Sequence, residues 1–412
     1  MRILLWHGYL LGGTGSNVYS RALAREWSNA GHDVVVVCQE REPEQYDLGG
    51  AAVVNPALPG GLLPVFVIDR YAGLSPKLLQ DFTEDEKRAY VEANAAVLRD
   101  LLPADIVFTN HVLMGGPVGV ATGAPFRVKA HGSELEYSMR GRAELEEWGC
   151  DALAEAELTF VGSEHIRNVV RDVTGHTERV LEVPPGVDVD EFVPEAREEA
   201  LAHLIEEARN DPPNNGNERL PDDGNAERLE QFLGGDEPTV VFFGKLIEQK
   251  GVQVLLEAMN NVDARVVVVG FGPYRATLEA MAPPRTLFTG PLEHRHLRHL
   301  LPLADVTVVP SIFPEAFGMV AAEAAAAGSP PLVSRHSGLA EVAAGLEEEY
   351  PVSARHLASF ETGNAADLAA KLNELLALPA AERQAVKDAA RAAVVKRWSW
   401  AEVAARLVAP AG

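Results

Sequence analysis

Cysteine, lysine and long apolar stretches are what this 412-residue chain has least of. Only Cys38 and Cys150 are present, too few for a disulfide framework and compatible with a reducing cytosol. Eight lysines stand against 28 arginines, and the formal charge is −24. Such a chain lacks the basic face that nucleic acid, anionic membranes or polyanions require. No run approaches the ~20 apolar residues that span a bilayer. Met1–Trp6 enters a strand-like run at once, without the basic stretch and longer apolar core of a secretory signal. The expectation is a soluble, cytoplasmic protein with no nucleic-acid partner and no stable membrane association. Composition is silent on oligomeric state.

What is abundant is ordinary globular material. Hydrophobic residues make up 47% and charged residues 23%, enough for a large core, and the length suggests two or three domains. Short β-branched runs alternate with helical patterns, the mark of a parallel α/β architecture. Strands are expected at Ile3–Trp6, Asp33–Cys38, Ala51–Asn55, Asp105–Asn110, Phe126–His131 and Leu158–Val161, and the series restarts at Thr239–Phe243, Arg265–Val269, Leu287–Thr289, Val306–Val309 and Pro331–Ser334. Continuously apolar runs such as Val240–Phe243 suit strands buried on both faces. The fold class is therefore α/β, with two Rossmann-like doubly wound domains facing across a cleft. The boundaries are read as 1–190 and 238–395, with 191–237 a solvated linker or insertion and a last helix from roughly Glu382 to Leu407. Parallel sheets bind ligands beyond the carboxyl ends of their strands, so the chemistry belongs in the strand-to-helix loops.

Five loops stand out. In Pro310–Gly328 a loop bearing Glu315 leads into an alanine-rich helix, starting near Phe317, whose one charged residue is Glu323. A helix apolar on nearly every face is a buried one, and a buried carboxylate needs partners. Free amides at Phe317, Gly318 and Met319 suit an anion or sugar hydroxyls. Phe243–Gly251 carries Lys245 and Lys250, two of the eight lysines, where a phosphate would lie, although it is no P-loop. Gly270-Phe-Gly272-Pro273 permits close backbone approach, as a tight turn equally would. Gly12-Gly13-Thr-Gly15-Ser16-Asn17 fails the dinucleotide fingerprint yet can accept a phosphate or an acceptor hydroxyl. Finally, a strand ends on His131, a structural residue or a ligand contact.

These residues resemble the retaining glycosyltransferases of family 4. The most specific element is the Glu315/Glu323 pair inside Pro-Glu-Ala-Phe-Gly-Met; Gly244-Lys245…Lys250-Gly251, Val269-Gly270-x-Gly272-Pro273, Thr289-Gly290 and Val183-Pro-Pro-Gly-Val-Asp188 follow. The resemblance implies a GT-B fold, an acceptor-binding N-terminal domain and a nucleotide-sugar donor domain, with a C-terminal helix, about 396–412, packed back on the former. It assigns Glu323 to the donor ribose, Glu315 to the donor sugar, and Lys245, Lys250 and the amides after Glu315 to the pyrophosphate. His131 would lie against the donor sugar. Phe317, Gly318, Met319, Val320, Gly270, Gly272 and Leu292 would line the donor site, and Gly12, Gly13, Gly15, Ser16 and Asn17 the acceptor or phosphate loop. The family often has Arg where Lys245 stands; an ammonium fixes phosphate geometry less firmly than a guanidinium fork.

The implied reaction is transfer of a hexose-type sugar, with retention, from a UDP-, GDP- or ADP-sugar to a hydroxyl of a small soluble acceptor. No cofactor and no metal are expected, since no Asp-x-Asp triplet lies in a suitable loop. Competing readings are a nucleotide-sugar epimerase, a nicotinamide-dependent dehydrogenase, disfavoured by the failed fingerprint, and a non-catalytic sugar-nucleotide-binding scaffold.

Overall fold

The computed structural model describes residues 1–12, 15–67 and 73–409. The chain divides into two compact units, Met1–Gly186 with Trp400–Gly412, and Val187–Ser399.

In the N-terminal unit the strands are β1 (Arg2–Trp6), β2 (Asp33–Val37), β3 (Ala52–Val54), β4 (Leu62–Val65), β5 (Ser75–Leu78), β6 (Ile106–Asn110), β7 (Phe126–Lys129), β8 (Leu158–Val161) and β9 (Val180–Glu182). Seven form one sheet in the order β3-β2-β1-β6-β7-β8-β9, and β4 pairs with β5 in a small separate sheet. All the pairings are parallel. Alternation along β1 shows how the sheet is buried on both faces. Leu4 and Trp6 join one apolar cluster, and Ile3 and Leu5 join another that includes Trp400, Val403 and Leu407.

That second cluster explains why the chain's end belongs to this unit. The helix expected from Glu382 to Leu407 is two helices, Ala380–Trp398 and Trp400–Val408, broken at Ser399. Trp400 meets Tyr19 edge-on at 5.5 Å, Trp27 Nε1 donates to Ala404 O at 2.9 Å, and buried Arg127 donates to Leu407 O at 2.8 Å. Truncating Leu407, fully buried here, to alanine would cost about 2–5 kcal/mol.

The C-terminal unit holds β10 (Thr239–Phe243), β11 (Arg265–Val269), β12 (Thr286–Phe288), β13 (Val306–Val309), β14 (Pro331–Ser334) and β15 (Ser359–Phe360). They form one parallel sheet, β12-β11-β10-β13-β14-β15. The winding reverses beside β10, and in the other unit beside β1, which makes these the switch points where ligands bind. Residues 191–237, read as linker, instead pack inside this unit. The helix Arg197–Arg209 buries Ala200, Leu204, Ile205 and Ala208, and Asn225–Leu233 buries Ala226, Leu229 and Leu233. Among the described residues no helix is long and apolar enough to cross a membrane.

Candidate active site

The loops after β10, β11 and β13 interlock through backbone. Gly270 has φ +142°, and a Cβ there would stand 1.8 Å from Gly244 O; at Gly272 it would stand 2.4 Å from Leu246 O. Leu246 N donates to Phe271 O at 2.8 Å and Tyr274 N to Leu246 O at 3.0 Å. The two glycines are therefore required by loop against loop, whatever ligand the loops also meet. Gly251 plays the same part beside β13, where a Cβ would fall 1.9 Å from Pro310 O. Ile312 N donates to Gln249 O at 3.0 Å.

This packing brings Lys250 onto Glu315, an ion pair between residues 65 apart in the chain. Glu315 Oε1 also accepts from Ser311 Oγ at 2.6 Å, and Glu315 N donates to Ser337 Oγ at 2.9 Å. His336, beyond the end of β14, hydrogen-bonds Ser311 O through Nε2 at 2.7 Å and Ser337 Oγ through Nδ1 at 3.0 Å. Glu315 is thus held from three sides, and Lys250 is committed to it. Lys245 is exposed and, among the described residues, pairs with no carboxylate.

The helix after Glu315 starts at Met319, two residues later than expected, because Gly318 turns with φ +137° before the first turn closes. No side chain caps it, and among the described residues no acceptor meets the amides of Phe317, Gly318, Met319 and Val320. Four donors are left for a ligand. Phe317 is buried edge-on against Trp398 at 5.5 Å, and Leu292 is buried as well, so these two side chains pack and do not line a surface. The helix ends at Ala326, two residues before Gly328, and Arg391 donates to Ala326 O and, at 2.8 Å, to Phe192 O, a cation at the negative end of the helix.

Glu323 sits among alanines that are 0% exposed, with its own side chain 13% exposed. Among the described residues its carboxylate accepts no hydrogen bond; the nearest partner is His294 Nε2 at 3.9 Å, whose Nδ1 lies 3.9 Å from Glu191. Burial first, and the charge of Glu191 second, push the Glu323 carboxyl up to about 8. It is a buried acid short of hydrogen-bond partners.

The N-terminal unit carries a different constellation at the corresponding strand ends. His7 directly follows β1, His111 directly follows β6 and His131 stands two residues past β7, so three histidines crown three adjacent strands. His111 and His131 have ring centroids 4.7 Å apart, and His7 stacks on His111 at 6.0 Å. Tyr9 and Phe66 close on His111 at 5.5 and 5.1 Å. His7 Nε2 hydrogen-bonds Asn17 Oδ1 and His131 Nε2 hydrogen-bonds Asn110 Oδ1, both at 2.8 Å. Burial holds His7 down to about 4, and burial with neighbouring imidazoles holds His111 and His131 well below the ordinary range. Beneath them Lys129 donates to Val183 O at 2.7 Å, its ammonium lowered by burial to about 7. Glu134 accepts from the amides of His131 and Gly132 at 2.9 and 3.1 Å. These neutral rings can exchange hydrogen bonds with hydroxyls and stack on a ring, but cannot balance a phosphate.

Sequence reasoning found His131 and missed His7 and His111, although both follow predicted strands directly and the same positional argument applies. In the glycine loop, Asn17 is buried, with its amide bonded to Gly12 O and His7. It therefore braces the loop and is not a free cap. The helix begins at Gly15, before Ser16, and Gly13 lies outside the described residues.

Two families match the chain, Glycosyltransferase Family 4 over residues 13–191 and Glycosyl transferases group 1 over residues 225–393. The D-inositol 3-phosphate glycosyltransferase of Xylanimonas cellulosilytica is 33% identical over 190 residues, 43% of this chain and 40% of that protein. A GDP-mannose-dependent alpha-(1-6)-phosphatidylinositol monomannoside mannosyltransferase of Mycolicibacterium smegmatis is 30% identical over 245 residues, 55% of this chain and 56% of its own. These matches span about half the length of either relative. The solved structure of Anabaena HepE with UDP-glucose has the same fold over 99% of this chain and 98% of its own, with TM-score 0.65 and 16% identity. With both halves of the sequence matched and both sheets wound in this order, the chain belongs to the group 1, family 4 glycosyltransferases.

Proposed function

We propose that the chain transfers a hexose-type sugar, with retention, from a nucleoside diphosphate sugar to an acceptor hydroxyl, and that no metal takes part. The C-terminal unit binds the donor and the N-terminal unit the acceptor. The carrying observation is Glu323, a buried carboxyl that accepts no hydrogen bond among the described residues, in a helix whose first amides are likewise unbonded there; with Lys245 on the loop after β10 they are read as a receptor for anionic groups. A vicinal diol such as a ribose supplies the two donors that this acid lacks, and its diphosphate takes the amides and ammonium. The named relatives support a sugar nucleotide as donor, GDP-mannose in the mycobacterial enzyme and UDP-glucose in HepE.

In the reaction the bond from the sugar's C1 to the diphosphate oxygen breaks as charge gathers on the leaving group. Lys245 and the amides from Phe317 to Val320 stabilise that charge, as donors in an oxyanion site do. Lys250 joins them by exchanging Glu315 for phosphate, which frees Glu315 for the sugar hydroxyls. The acceptor oxygen bonds C1 on the face the diphosphate leaves, and its proton passes to a diphosphate oxygen. His131, with the other neutral imidazoles, orients hydroxyls.

The acceptor is read as a small soluble molecule. The helix Glu84–Leu101 carries Glu84, Asp85, Glu86, Glu92 and Asp100 against Lys87, Arg88 and Arg99, an acid excess that supplies no basic surface for an anionic bilayer. The phosphatidylinositol mannoside named for the Mycolicibacterium relative favours a lipid instead. Co-sedimentation with anionic liposomes at physiological salt separates the two, and binding there would overturn the soluble-acceptor reading. For the reaction itself, UDP-, GDP- and ADP-sugars are screened by thermal shift, where saturation at 100 Kd adds about 2.7 kcal/mol. The stabilising donor is then incubated with inositol-type and sugar acceptors in excess EDTA. Glycosylated product with the anomeric configuration of the donor is expected. Loss of turnover on chelation, restored by Mg²⁺ or Mn²⁺, would sink the metal-free mechanism; isomerisation of the donor alone would favour an epimerase.

A further inference from the structure

Away from the donor loops, the C-terminal unit gathers two imidazoles around one carboxylate. Glu195 stands just before the helix Arg197–Arg209, His203 lies on that helix, and His299 lies on the helix His294–Leu300. His299 Nδ1 meets Glu195 Oε2 at 2.7 Å, and His203 Nδ1 meets the other oxygen, Oε1. The two rings are 5.0 Å apart. One ligand atom from each residue lies within 4.8 Å of the other two. Glu195 and His299 are largely buried and His203 is half exposed, so the group opens to solvent on one side only.

We propose that Glu195, His203 and His299 are a binding site for a divalent transition metal of the zinc type. Two imidazole nitrogens and a carboxylate are a ligand set that Zn²⁺ takes readily, at about 2.0–2.2 Å, with water in the fourth place on the open side. Bonds of that length set ligand atoms roughly 3.3 Å apart, so small rotations about the side-chain bonds bring the three into range. Each Nδ1 meets the ion through its lone pair, and the ring proton moves to Nε2 through solvent. At His299 this displaces the hydrogen bond that Arg298 Nε donates to Nε2 at 3.1 Å, leaving Arg298 to its other partner, Glu207. Imidazolium cannot ligate, so acidification releases the ion.

The site has a structural consequence. The helix His294–Leu300 presents His299 to Glu195 at one end and His294 to Glu191 and Glu323 at the other. A metal at Glu195 ties down the helix that brings His294 to the buried acid, without touching the transferred sugar.

The test uses the full chain stripped with chelator and titrated with Zn²⁺ alone against a chromogenic competitor. One ion per chain is expected, and His203→Asn and His299→Ala each weaken its binding at least tenfold. Asparagine keeps a donor for Glu195, so an unchanged metal-free Tm in that variant separates lost ligation from lost folding. On the unaltered chain, Co²⁺ should give the intense visible absorption of a tetrahedral site and raise Tm. Zinc binding that both substitutions leave intact, or Co²⁺ bound with only the weak octahedral spectrum, overturns the proposal. Neither readout involves sugar transfer, so this site and the proposed reaction stand or fall separately.

Discussion

Three imidazoles follow adjacent strands at the carboxyl edge of the N-terminal sheet, and burial keeps them neutral among Tyr9 and Phe66. At the same edge of the C-terminal sheet stand an exposed ammonium, a fixed ion pair, four amides unbonded among the described residues and a buried acid. The architecture is the same in both units, and the side chains placed on it differ in kind. A parallel sheet fixes where a ligand goes, while the residues one or two places past each strand decide what it can be. Hydroxyls suit the first edge and an anionic nucleotide the second.

The comparison is broken most forcibly at Glu315. Its replacement by alanine frees Lys250 and unties Ser311, while the backbone bond to Ser337 stays. Turnover should fall by about 10²–10³ in kcat, the loss typical of a transition-state hydrogen bond. Steady-state rates at saturating donor check this, and a change confined to KM would contradict it. Lys245→Ala removes the exposed cation that, among the described residues, no carboxylate holds, and should weaken nucleoside diphosphate binding about tenfold. Lys245→Arg should recover most of that affinity, since a guanidinium meets phosphate at least as well.

The smallest effects are in stability, and they oppose each other. The Glu323 carboxyl, raised from 4.5 to about 8, keeps a proton in the folded chain that the unfolded chain gives up. Its contribution therefore falls as pH rises from 4.5 through 8. Glu323→Gln should raise the ligand-free Tm by a few degrees at pH 8, and by nothing near pH 4.5, at about 2–4 °C per kcal/mol. The histidines act in the other direction. His7 drops from 6.5 to about 4, so the unfolded chain takes up a proton that the folded one refuses, and stability is lost as pH falls through that window. His111 sits at φ +67°, which asparagine tolerates. His111→Asn should therefore blunt the acid loss without adding backbone strain. Thermal unfolding of both variants from pH 4 to 8 checks the signs, and parallel curves would refute the contrast.

Much of this was legible in the sequence where burial on two faces leaves a continuous apolar run. The expected strands Leu158–Val161, Thr239–Phe243, Arg265–Val269, Val306–Val309 and Pro331–Ser334 have the observed limits. The strands that escaped notice are short or carry proline: Leu62–Val65 with Pro64, Ser75–Leu78 with Pro76, Val180–Glu182 and Ser359–Phe360. Glu323 announced itself as the one charge on an alanine helix. The grip on Glu315 did not, because Lys250, Ser311 and Ser337 converge through tertiary packing that leaves no period in the sequence. Likewise the charged segment after Val193 reads as solvated, since Leu204, Ile205, Leu229 and Leu233 are too few among their charges to reveal a buried face.

Calorimetry with the free nucleoside diphosphate tests the central claim most directly, because that ligand contains the ribose and diphosphate without the sugar. Glu323→Ala removes a hydrogen-bonding group worth roughly 1.5–3 kcal/mol and should weaken binding by about ten- to a hundredfold. Binding to the unaltered chain should release protons below pH 8, as ribose hydroxyls draw Glu323 into its ionised form. Glu315→Ala should leave nucleotide affinity within a few fold. If Glu315→Ala loses the nucleotide while Glu323→Ala keeps it, the assignment of the buried acid to the donor nucleotide is wrong.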